Sequence, residues 1–376
     1  MPIAPAEYQS RLAKAQRLLV EHDLDALLLP AGTSLRYFTG VGWGLSERFL
    51  GLLLPREGEP VYVAPAFEEP KVRELISIEG PLQVWEEHES PFELLAGLLK
   101  EQGAGRLAVE GTTPFFMTDA LRTSAPGVQL ADAAPVVDGC RMQKSAAEIA
   151  IIEHAMGVTL DIHRRVRERL NEGMTNTEIV RWMDAEHRAA GADDGSTFAI
   201  VAFGESTAYP HGPKGEQRLR EGQIVLVDTG CTFEGYHSDL TRTYVFGEPT
   251  ARHREVWEIE HEAQAAAFAA AQPGAPCEAV DAAARAVIER HGLGPGYQTP
   301  GLPHRTGHGL GMDIHEAPYL VRGNQTPLAE GMIASIEPMI CVYGELGVRL
   351  EDHFVVTPDG PRWLSRPSES IDRPFE

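Results

Sequence analysis

The sequence predicts a mixed α/β protein built from two parts. Over the first 140 residues, short apolar runs alternate with helical patterns, which is typical of an α/β layer structure. A turn-rich segment follows, and after it the order of two helices and then several strands occurs twice. With 376 residues and 43% hydrophobic content, the chain is long enough for two domains with separate cores. We therefore expect an α/β domain over residues 1–140 and an internally duplicated α+β domain over residues 141–376.

The N-terminal part begins with an amphipathic helix near residues 7–22. Leu12, Leu18 and Leu19 recur on one side of it, and charged residues occupy the other. Short apolar runs that read as buried strands follow, with helical patterns among them. The strands are expected near 26–29, 49–54, 61–63 and 107–109, and the helices near 91–101 and 114–122.

The boundary between the two parts is expected near residues 132–145. Residues 132–139 are rich in turn formers, and residues 141–144 would form the linker. Ser145 and Glu148 then have the spacing of a capping box, in which each side chain bonds to the backbone of the other residue. A long helix is predicted from there to about Leu170.

The C-terminal part repeats one order of elements. A helix near 176–190 is followed by strands near 197–203, 223–229 and 239–246. Helices near 252–271 and 277–291 then precede strands near 332–336 and 347–356. This repetition indicates an internal duplication.

Charge, hydropathy and cysteine spacing exclude several classes of protein. A net charge of −22 repels phosphate backbones, so nucleic acid is not an expected partner. No apolar run reaches the length of a membrane span, and residues 1–7 lack the pattern of a secretory signal. The cysteines are far apart and form no Cys-x-x-Cys pair, so we expect reduced thiols in a cytoplasmic protein: Cys140, Cys231, Cys277 and Cys341.

Four carboxylates and one imidazole stand at positions that favour a metal site. Asp228 follows an apolar strand-like run and precedes a Thr-Gly turn, and Asp239 opens the next strand. His308 lies between glycines, which let the backbone approach a crowded site closely. Glu337 ends an apolar run, where a carboxylate is costly unless it is paired or bound to metal. With Glu351, this set suits two neighbouring divalent cations and a metal-activated water, and therefore hydrolysis.

In their order and spacing, these motifs resemble the pita-bread metallopeptidases, namely methionine aminopeptidase, aminopeptidase P and prolidase. The resemblance covers roughly residues 145–360, and the preceding part is similar to the N-terminal domain of creatinase, prolidase and aminopeptidase P. It implies a pita-bread catalytic domain at 141–376 and a creatinase-like α/β domain at 1–140. It further implies two metal ions, most often manganese, with cobalt or zinc as alternatives, and an oxygen-rich set with one nitrogen favours manganese.

The resemblance also implies a role for each residue of the set. Asp228 would chelate one metal, Asp239 and Glu351 would bridge both, and His308 and Glu337 would bind the other. Side chains alternate along a strand, so Arg349 is expected on the face of Glu351, where it would orient a carboxylate. Thr241, on the strand that Asp239 opens, is assigned the same supporting role.

Three further histidines are expected at the rim of the metal site. By resemblance, His211 and His315 contact the scissile region and His304 lines the substrate pocket. The implied mechanism has a metal-bridging hydroxide attack the scissile carbonyl, while His211 helps to stabilise the oxyanion. Glu337 would exchange a proton with the leaving nitrogen, so His211, His315 and Glu337 are the expected catalytic residues.

The substrate class follows from the proline-specific branch of the resemblance. An Xaa-Pro dipeptidase (prolidase) is favoured, and an aminopeptidase P acting on Xaa-Pro-peptides is the alternative. Prolidases often have an arginine shortly after the His-Glu-x-Pro motif, but here Tyr319 follows and the next arginine is Arg322. A common tyrosine is also replaced by Cys341.

Two other functions stay open: a hydrolase of a non-peptide amide or amidine, and a binding protein that kept the fold. The resemblance implies a homodimer that acts on short proline-containing peptides, with no nucleic-acid or membrane partner.

Overall fold

A computed structural model describes residues 2–375 of the chain. The described residues form two compact units, one from Pro2 to Arg141 and one from Met142 onward. None of the helices within residues 2–375 is both long enough and apolar enough to cross a membrane.

The first unit is a six-stranded sheet with helices between its strands. The sheet order is β4-β3-β2-β1-β5-β6, with antiparallel pairs in β3-β2-β1 and parallel pairs elsewhere. In chain order, its elements are α1 (Pro5–Glu21), β1 (Ala26–Pro30), α2 (Thr33–Thr39), β2 (Gly51–Pro55), β3 (Val61–Pro65), α3 (Glu69–Leu75), β4 (Leu82–Trp85), α4 (Pro91–Glu101), β5 (Arg106–Val109), α5 (Phe115–Ser124), β6 (Gln129–Asp132) and α6 (Ala134–Arg141).

The apolar runs of the first unit are its central strands. All five residues of β1 and all five of β2 are buried, and Leu28 and Leu53 pack in one cluster with Leu95 and Leu99 of α4. Burial on both faces explains why these strands read as continuous apolar runs without alternation. One prediction is wrong here, because the segment expected to be turn-rich before residue 140 is largely the helix α6.

The second unit holds the remaining helices and strands. In chain order, its elements are α7 (Ala146–Arg169), α8 (Asn176–Ala189), β7 (Ser196–Phe203), β8 (Ile224–Phe233), β9 (Tyr236–His237), β10 (Leu240–Val245), α9 (Ala251–Ala270), α10 (Cys277–Arg290), β11 (Gly307–Gly309), β12 (Glu316–Leu320), β13 (Ile333–Ile336), β14 (Met339–Val342), β15 (Leu346–Arg349), β16 (Asp352–Thr357) and β17 (Gly360–Trp363).

The first two helices of this unit, α7 and α8, both begin with a capping box. The capping box predicted at Ser145 and Glu148 is confirmed, and Thr175 and Glu178 form a second one at the start of α8. In both, the hydroxyl accepts from the backbone N–H three residues later and the glutamate accepts from the cap residue. These local bonds satisfy donors that a helix N-terminus leaves free, which is why both helices begin where the sequence indicates.

The strands of this unit form three sheets. β8 lies between β10 and β7, with β9 on its end, and a five-stranded sheet runs β12-β11-β13-β16-β17. β14 and β15 form a separate antiparallel pair. An isolated bridge between Thr241 and Glu351 connects β10 to the segment between β15 and β16, so strands far apart in sequence meet where the predicted metal ligands lie.

Two details of the second unit differ from the sequence prediction. Asp228 lies in the middle of β8, which continues to Phe233, so there is no turn after it. The strand expected over 347–356 is interrupted at Leu350 and Glu351, and β15 and β16 pair with different partners. Arg349 and Glu351 therefore do not share the face of one strand.

Candidate metal centre

The predicted carboxylates and the histidine converge from five chain segments. Asp228 is mid-strand in β8 opposite Thr241 of β10, and Asp239 immediately precedes β10. His308 is the central residue of β11, Glu337 follows β13, and Glu351 separates β15 from β16. Neighbouring backbone segments can approach β11 closely because glycines stand on both sides of His308. A Cβ added at Gly307 would lie 2.0 Å from the Ser335 carbonyl oxygen, and one at Gly309 would lie 2.3 Å from that of Ala317.

The imidazole of His308 lies among three carboxylates. Its Nε2 is 3.0 Å from Oε1 of Glu337, 3.7 Å from Oδ2 of Asp239 and 4.0 Å from Oε1 of Glu351. Its Nδ1 is 3.1 Å from the Gly309 carbonyl oxygen. Donation of the Nδ1 proton to that carbonyl leaves Nε2 as the nitrogen with a lone pair directed into the cluster.

Arg349 and Thr241 hold the carboxylates from outside the cluster. Arg349 donates from Nη2 to Oδ2 of Asp228 at 2.5 Å and from Nε to the Thr241 hydroxyl at 3.1 Å. That hydroxyl donates to Oε2 of Glu351 at 2.8 Å. The second oxygens, Oδ1 of Asp228 and Oε1 of Glu351, are buried and have no hydrogen-bond partner among residues 2–375. Each of these two carboxylates is thus held in place through one oxygen, and its other oxygen is available to bind a cation.

Burial and mutual repulsion strongly shift the pKa values of the carboxylates in the cluster. Desolvation raises the pKa of Asp228, Asp239 and Glu351, and the neighbouring negative charges raise the pKa of the last two further. Burial also acts to raise the pKa of Glu337, but the hydrogen bond with His308 and the positive charges of His308, His304 and Arg349 together lower that pKa overall. Four carboxylates this close cannot all be ionised without compensating positive charge. The unsatisfied oxygens and the oxygen-rich donor set fit divalent cations as that compensation.

One further histidine, which the sequence reading missed, lies in the cluster. His353 of β16 is fully buried, and its ring can share a metal with Asp239 and Glu351, since one ligand atom from each lies within 4.8 Å of the others. The groups Asp239-His308-His315 and His308-Glu337-Glu351 meet the same distance criterion. The only sequence signal for His353 is its position two residues after Glu351, and that signal has meaning only once Glu351 is known to be central.

The three predicted rim histidines line one cavity with the carboxylates. Burial lowers the pKa of His315 to about 4, with a further contribution from the charge of His308, whose ring centroid is 4.1 Å away. His304 donates from Nδ1 to the Arg305 carbonyl oxygen at 2.7 Å, and burial lowers its pKa too. With a pKa of about 4, His315 is a neutral imidazole at neutral pH. His211 is exposed and follows Pro210, whose carbonyl oxygen accepts from Arg349 at 3.2 Å.

The cavity itself has a volume of about 540 Å³. Its floor is the carboxylate cluster, and its walls are largely apolar. The residues of the wall include Phe198, Ile200, Ile314, Tyr343 and Arg305. A pocket of this size with convergent polar groups at one end suits a small organic molecule with one reactive polar bond.

A buried polar network supports the Glu351 segment from behind. Arg242 donates to the Glu351 carbonyl oxygen at 2.8 Å and forms a fully buried ion pair with Asp352 at 2.7 Å. Gln264 of α9 donates to the Leu350 carbonyl oxygen at 3.1 Å and to Asp352 at 3.2 Å. These bonds satisfy the backbone carbonyl groups of Leu350 and Glu351, where the strand is interrupted. They thereby keep the Glu351 side chain directed into the cavity.

Comparison with known families matches both parts of the chain. The model of metallopeptidase family M24 matches residues 150–358, and that of the creatinase/prolidase N-terminal domain matches residues 11–143. The matched catalytic region contains all five converging residues.

Individual relatives carry dipeptidase and aminopeptidase names. The chain is 36% identical to a probable dipeptidase PepE of Mycobacterium tuberculosis, over 94% of this chain and 93% of that protein. The prolidase of Thermococcus sibiricus superposes with a TM-score of 0.87 at 32% identity, covering 96% of this chain and 97% of that one. The X-Pro aminopeptidase of Thermotoga maritima superposes at 0.78 and 25% identity, covering 93% and 97%.

Proposed function

The chain belongs to metallopeptidase family M24, and from that premise we propose that it hydrolyses the Xaa-Pro bond of dipeptides. The family also confirms the predicted fold, a creatinase-like domain before a pita-bread domain. The single observation that carries the proposal is the convergence of four carboxylates and His308 at the floor of a cavity rimmed by three histidines.

The residues at the floor of the cavity would hold two divalent cations. The proposed ligands are the five residues predicted from sequence, Asp228, Asp239, His308, Glu337 and Glu351, with manganese as the favoured metal. When bound, the cations supply Lewis acidity and a nucleophilic water at neutral pH. Two features support this assignment: the pair of unsatisfied buried oxygens and the repulsion between carboxylates that cations would relieve.

The chain's own residues then position and stabilise the substrate. His315, neutral at neutral pH, can donate one N–H to the scissile carbonyl oxygen without bringing a second positive charge into the cavity. His211 is on the cavity rim, and the contact of Pro210 with Arg349 connects it to the carboxylate cluster. Glu337, whose pKa is lowered, is ionised at neutral pH and can accept a proton and return it to the leaving nitrogen.

The walls of the cavity favour a small apolar ring. Phe198, Ile200 and Tyr343 provide apolar surface beside the polar floor, and a proline ring is a compact apolar group that would bury against it. Bond cleavage before proline also leaves a secondary amine, which takes up the proton that Glu337 is proposed to deliver.

Paired substrates test the proposal directly. Manganese-loaded protein is given Ala-Pro, Ala-Pro-Ala and Ala-Ala, and the release of alanine is followed. We expect Ala-Pro to be cleaved with the highest kcat/KM and Ala-Ala to be cleaved poorly. Cleavage of Ala-Pro-Ala in preference to Ala-Pro would favour the aminopeptidase P alternative, to which one superposed structure belongs by name. No cleavage of any of the three by metal-loaded protein would contradict the peptidase proposal.

We further propose a homodimer in solution, a cytoplasmic location and manganese as the physiological metal. All four cysteines are free and buried, which agrees with a reducing compartment.

A further inference from the structure

His353 is a fully buried histidine beside the carboxylate cluster, and it does not line the cavity. Its ring centroid lies 6.0 Å from that of His308, and the two rings are inclined at 68°. One ligand atom each of His353, Asp239 and Glu351 lie within 4.8 Å of one another. The imidazole therefore stands against the two carboxylates that are proposed to bridge the cations.

The strand β16 turns this ring toward the cluster. The preceding residue, Asp352, directs its carboxylate to Arg242 at 2.7 Å. Because successive side chains of a strand point to opposite faces, the ring of His353 lies on the other face of the sheet. Its Cα partner in β13 is Ser335, whose hydroxyl accepts from the His308 backbone N–H at 2.9 Å. Paired residues of neighbouring strands share a face, so His353 is on the same face as this contact.

Neither ring nitrogen of His353 has a hydrogen-bond partner within the part of the chain that the structure describes. The Asp239 backbone lies near the ring, but not in hydrogen-bonding geometry. By contrast, both nitrogens of the buried His187 reach hydroxyl groups, those of Ser196 and Thr159. Burial of a polar group without a partner is costly, and a purely structural role would leave both nitrogens of His353 unsatisfied. A cation in the cluster would satisfy one of them, because neutral imidazole is a common metal ligand.

We propose that His353 is a sixth protein ligand of the metal centre and adds a second imidazole nitrogen to the donor set. It would share a cation with Asp239 and Glu351, the residues whose ligand atoms lie closest to it as a group. The inference rests on the two-cation site of the proposed function and extends it beyond the five ligands predicted from the sequence. It does not depend on which bond the protein hydrolyses.

A second nitrogen donor changes which metals the site prefers. Carboxylate oxygens suit manganese, whereas imidazole nitrogen suits zinc. With His308 as the one histidine ligand, the protein supplies one nitrogen beside four carboxylates, and with His353 it supplies two. We therefore expect His353 to raise the affinity for zinc by more than it raises the affinity for manganese.

Metal affinities of two His353 variants test the assignment. Wild type, His353→Leu and His353→Gln are stripped of metal and titrated with zinc and with manganese in a calorimeter. For His353→Leu, we expect zinc affinity to fall by about 100-fold and manganese affinity by about 10-fold. The glutamine side chain can donate a hydrogen bond and offers an oxygen, so His353→Gln should regain manganese affinity but not zinc affinity. His187→Gln, which removes a buried histidine with satisfied nitrogens, is the matched control and should bind both metals like wild type.

X-ray absorption at the zinc edge counts the imidazole ligands directly. We expect two imidazoles per pair of zinc ions in wild type and one in His353→Gln. The same count in both proteins would overturn the inference, and so would unchanged affinities in both variants. Equal losses of zinc and manganese affinity that glutamine restores would show that His353 only donates a hydrogen bond. No peptide enters these measurements, so a failure to cleave Xaa-Pro leaves the inference standing, whereas a wild type that binds neither metal overturns it together with the proposed function.

Discussion

At the scale of single residues, one hydroxyl sets the geometry of two carboxylates. The Thr241 side chain accepts from Arg349 and donates to Glu351, while Arg349 donates to Asp228. A hydroxyl has one proton, so acceptance from the guanidinium directs that proton to Glu351. The oxygen of Asp228 and the oxygen of Glu351 that remain without partners are thereby aimed into the cluster.

Replacement of this hydroxyl should weaken the metal site without unfolding the protein. Thr241→Val keeps the shape of the side chain but removes both bonds, and we expect metal affinity to fall by about 10- to 100-fold, the usual effect of losing a supporting bond. Thr241→Ser is the matched control and should keep near-normal affinity. Metal titrations followed by calorimetry measure both, and equal affinities for the valine variant and wild type would contradict the assigned role.

A second residue-scale effect concerns acid stability. His187 is buried, with its Nδ1 2.8 Å from the Ser196 hydroxyl and its Nε2 3.3 Å from that of Thr159. Burial lowers the pKa of His187 to about 4 despite the opposing charge of Asp184. The unfolded chain takes up this proton near pH 6.5, whereas the folded protein resists it until about pH 4. The stability that neutral His187 contributes is therefore complete above pH 6.5 and is lost as the pH falls.

The corresponding measurement is the free energy of unfolding in urea between pH 7 and pH 4. We expect His187→Gln, which cannot titrate, to reduce the acid-induced loss by up to about 3 kcal/mol. His88→Gln, at an exposed histidine, is the control and should leave the pH dependence unchanged. An unaltered slope in the His187 variant would show that other groups dominate acid unfolding.

At the scale of elements, a buried ion pair fixes the segment that carries His315. Lys144, just before α7, donates to Oε1 of Glu316 at 2.7 Å, and both side chains are nearly inaccessible. Oε2 of Glu316 accepts from the Asp313 backbone N–H. The segment also needs a glycine at 311, where a Cβ would stand 2.5 Å from Oε1 of Glu316. The start of one helix thus determines the position of a histidine 171 residues later.

Loss of the lysine should therefore affect stability and turnover together. Lys144→Met removes the cation of this buried ion pair, and removal of one partner of such a pair typically costs about 3–5 kcal/mol of folding free energy. We also expect lower kcat, because the turn before His315 loses its anchor. The double variant Lys144→Met/Glu316→Gln removes both charges of this ion pair and should recover much of the stability measured in urea. Equal stability of the single variant and wild type would sink this assignment.

At the scale of the whole molecule, stability should depend on divalent metal. Without cations, burial first and like charges second raise the pKa of Asp239 and Glu351. For a carboxyl with a raised folded-state pKa, stability is complete at low pH and is lost as the pH rises through that pKa. Cations that bind the folded state reverse this loss by mass action.

We therefore expect EDTA to lower the melting temperature, and by more at pH 8 than at pH 6. Addition of manganese should restore it and release protons, which a weakly buffered titration detects. In Asp239→Asn, the effect of EDTA should shrink, because one of the repelling charges is gone. A melting temperature independent of EDTA at both pH values would contradict metal binding by the cluster.

Many helices and strands could be predicted from the sequence because the patterns that indicate them are local. The capping box at Ser145 and the apolar runs of β1 and β2 depend on neighbours within a few residues, and each forms the predicted element. Glu337 stood out because a carboxylate in an apolar run is costly without a partner, and the five residues were identified as a set by the order and spacing of their motifs. Resemblance then gave the family, which the comparisons confirm.

Only the tertiary structure decided how these signals combine. The pairing of β8 with β7 and β10 keeps Asp228 inside a strand, where its local sequence predicted a turn. The strand after Arg349 is interrupted because β15 and β16 pair with different partners. The contacts of His353 and Lys144 depend on residues far away in the chain, and no local pattern marks them. Residue types and short-range spacing thus determined which chemistry the chain carries, while long-range pairing determined where each group points.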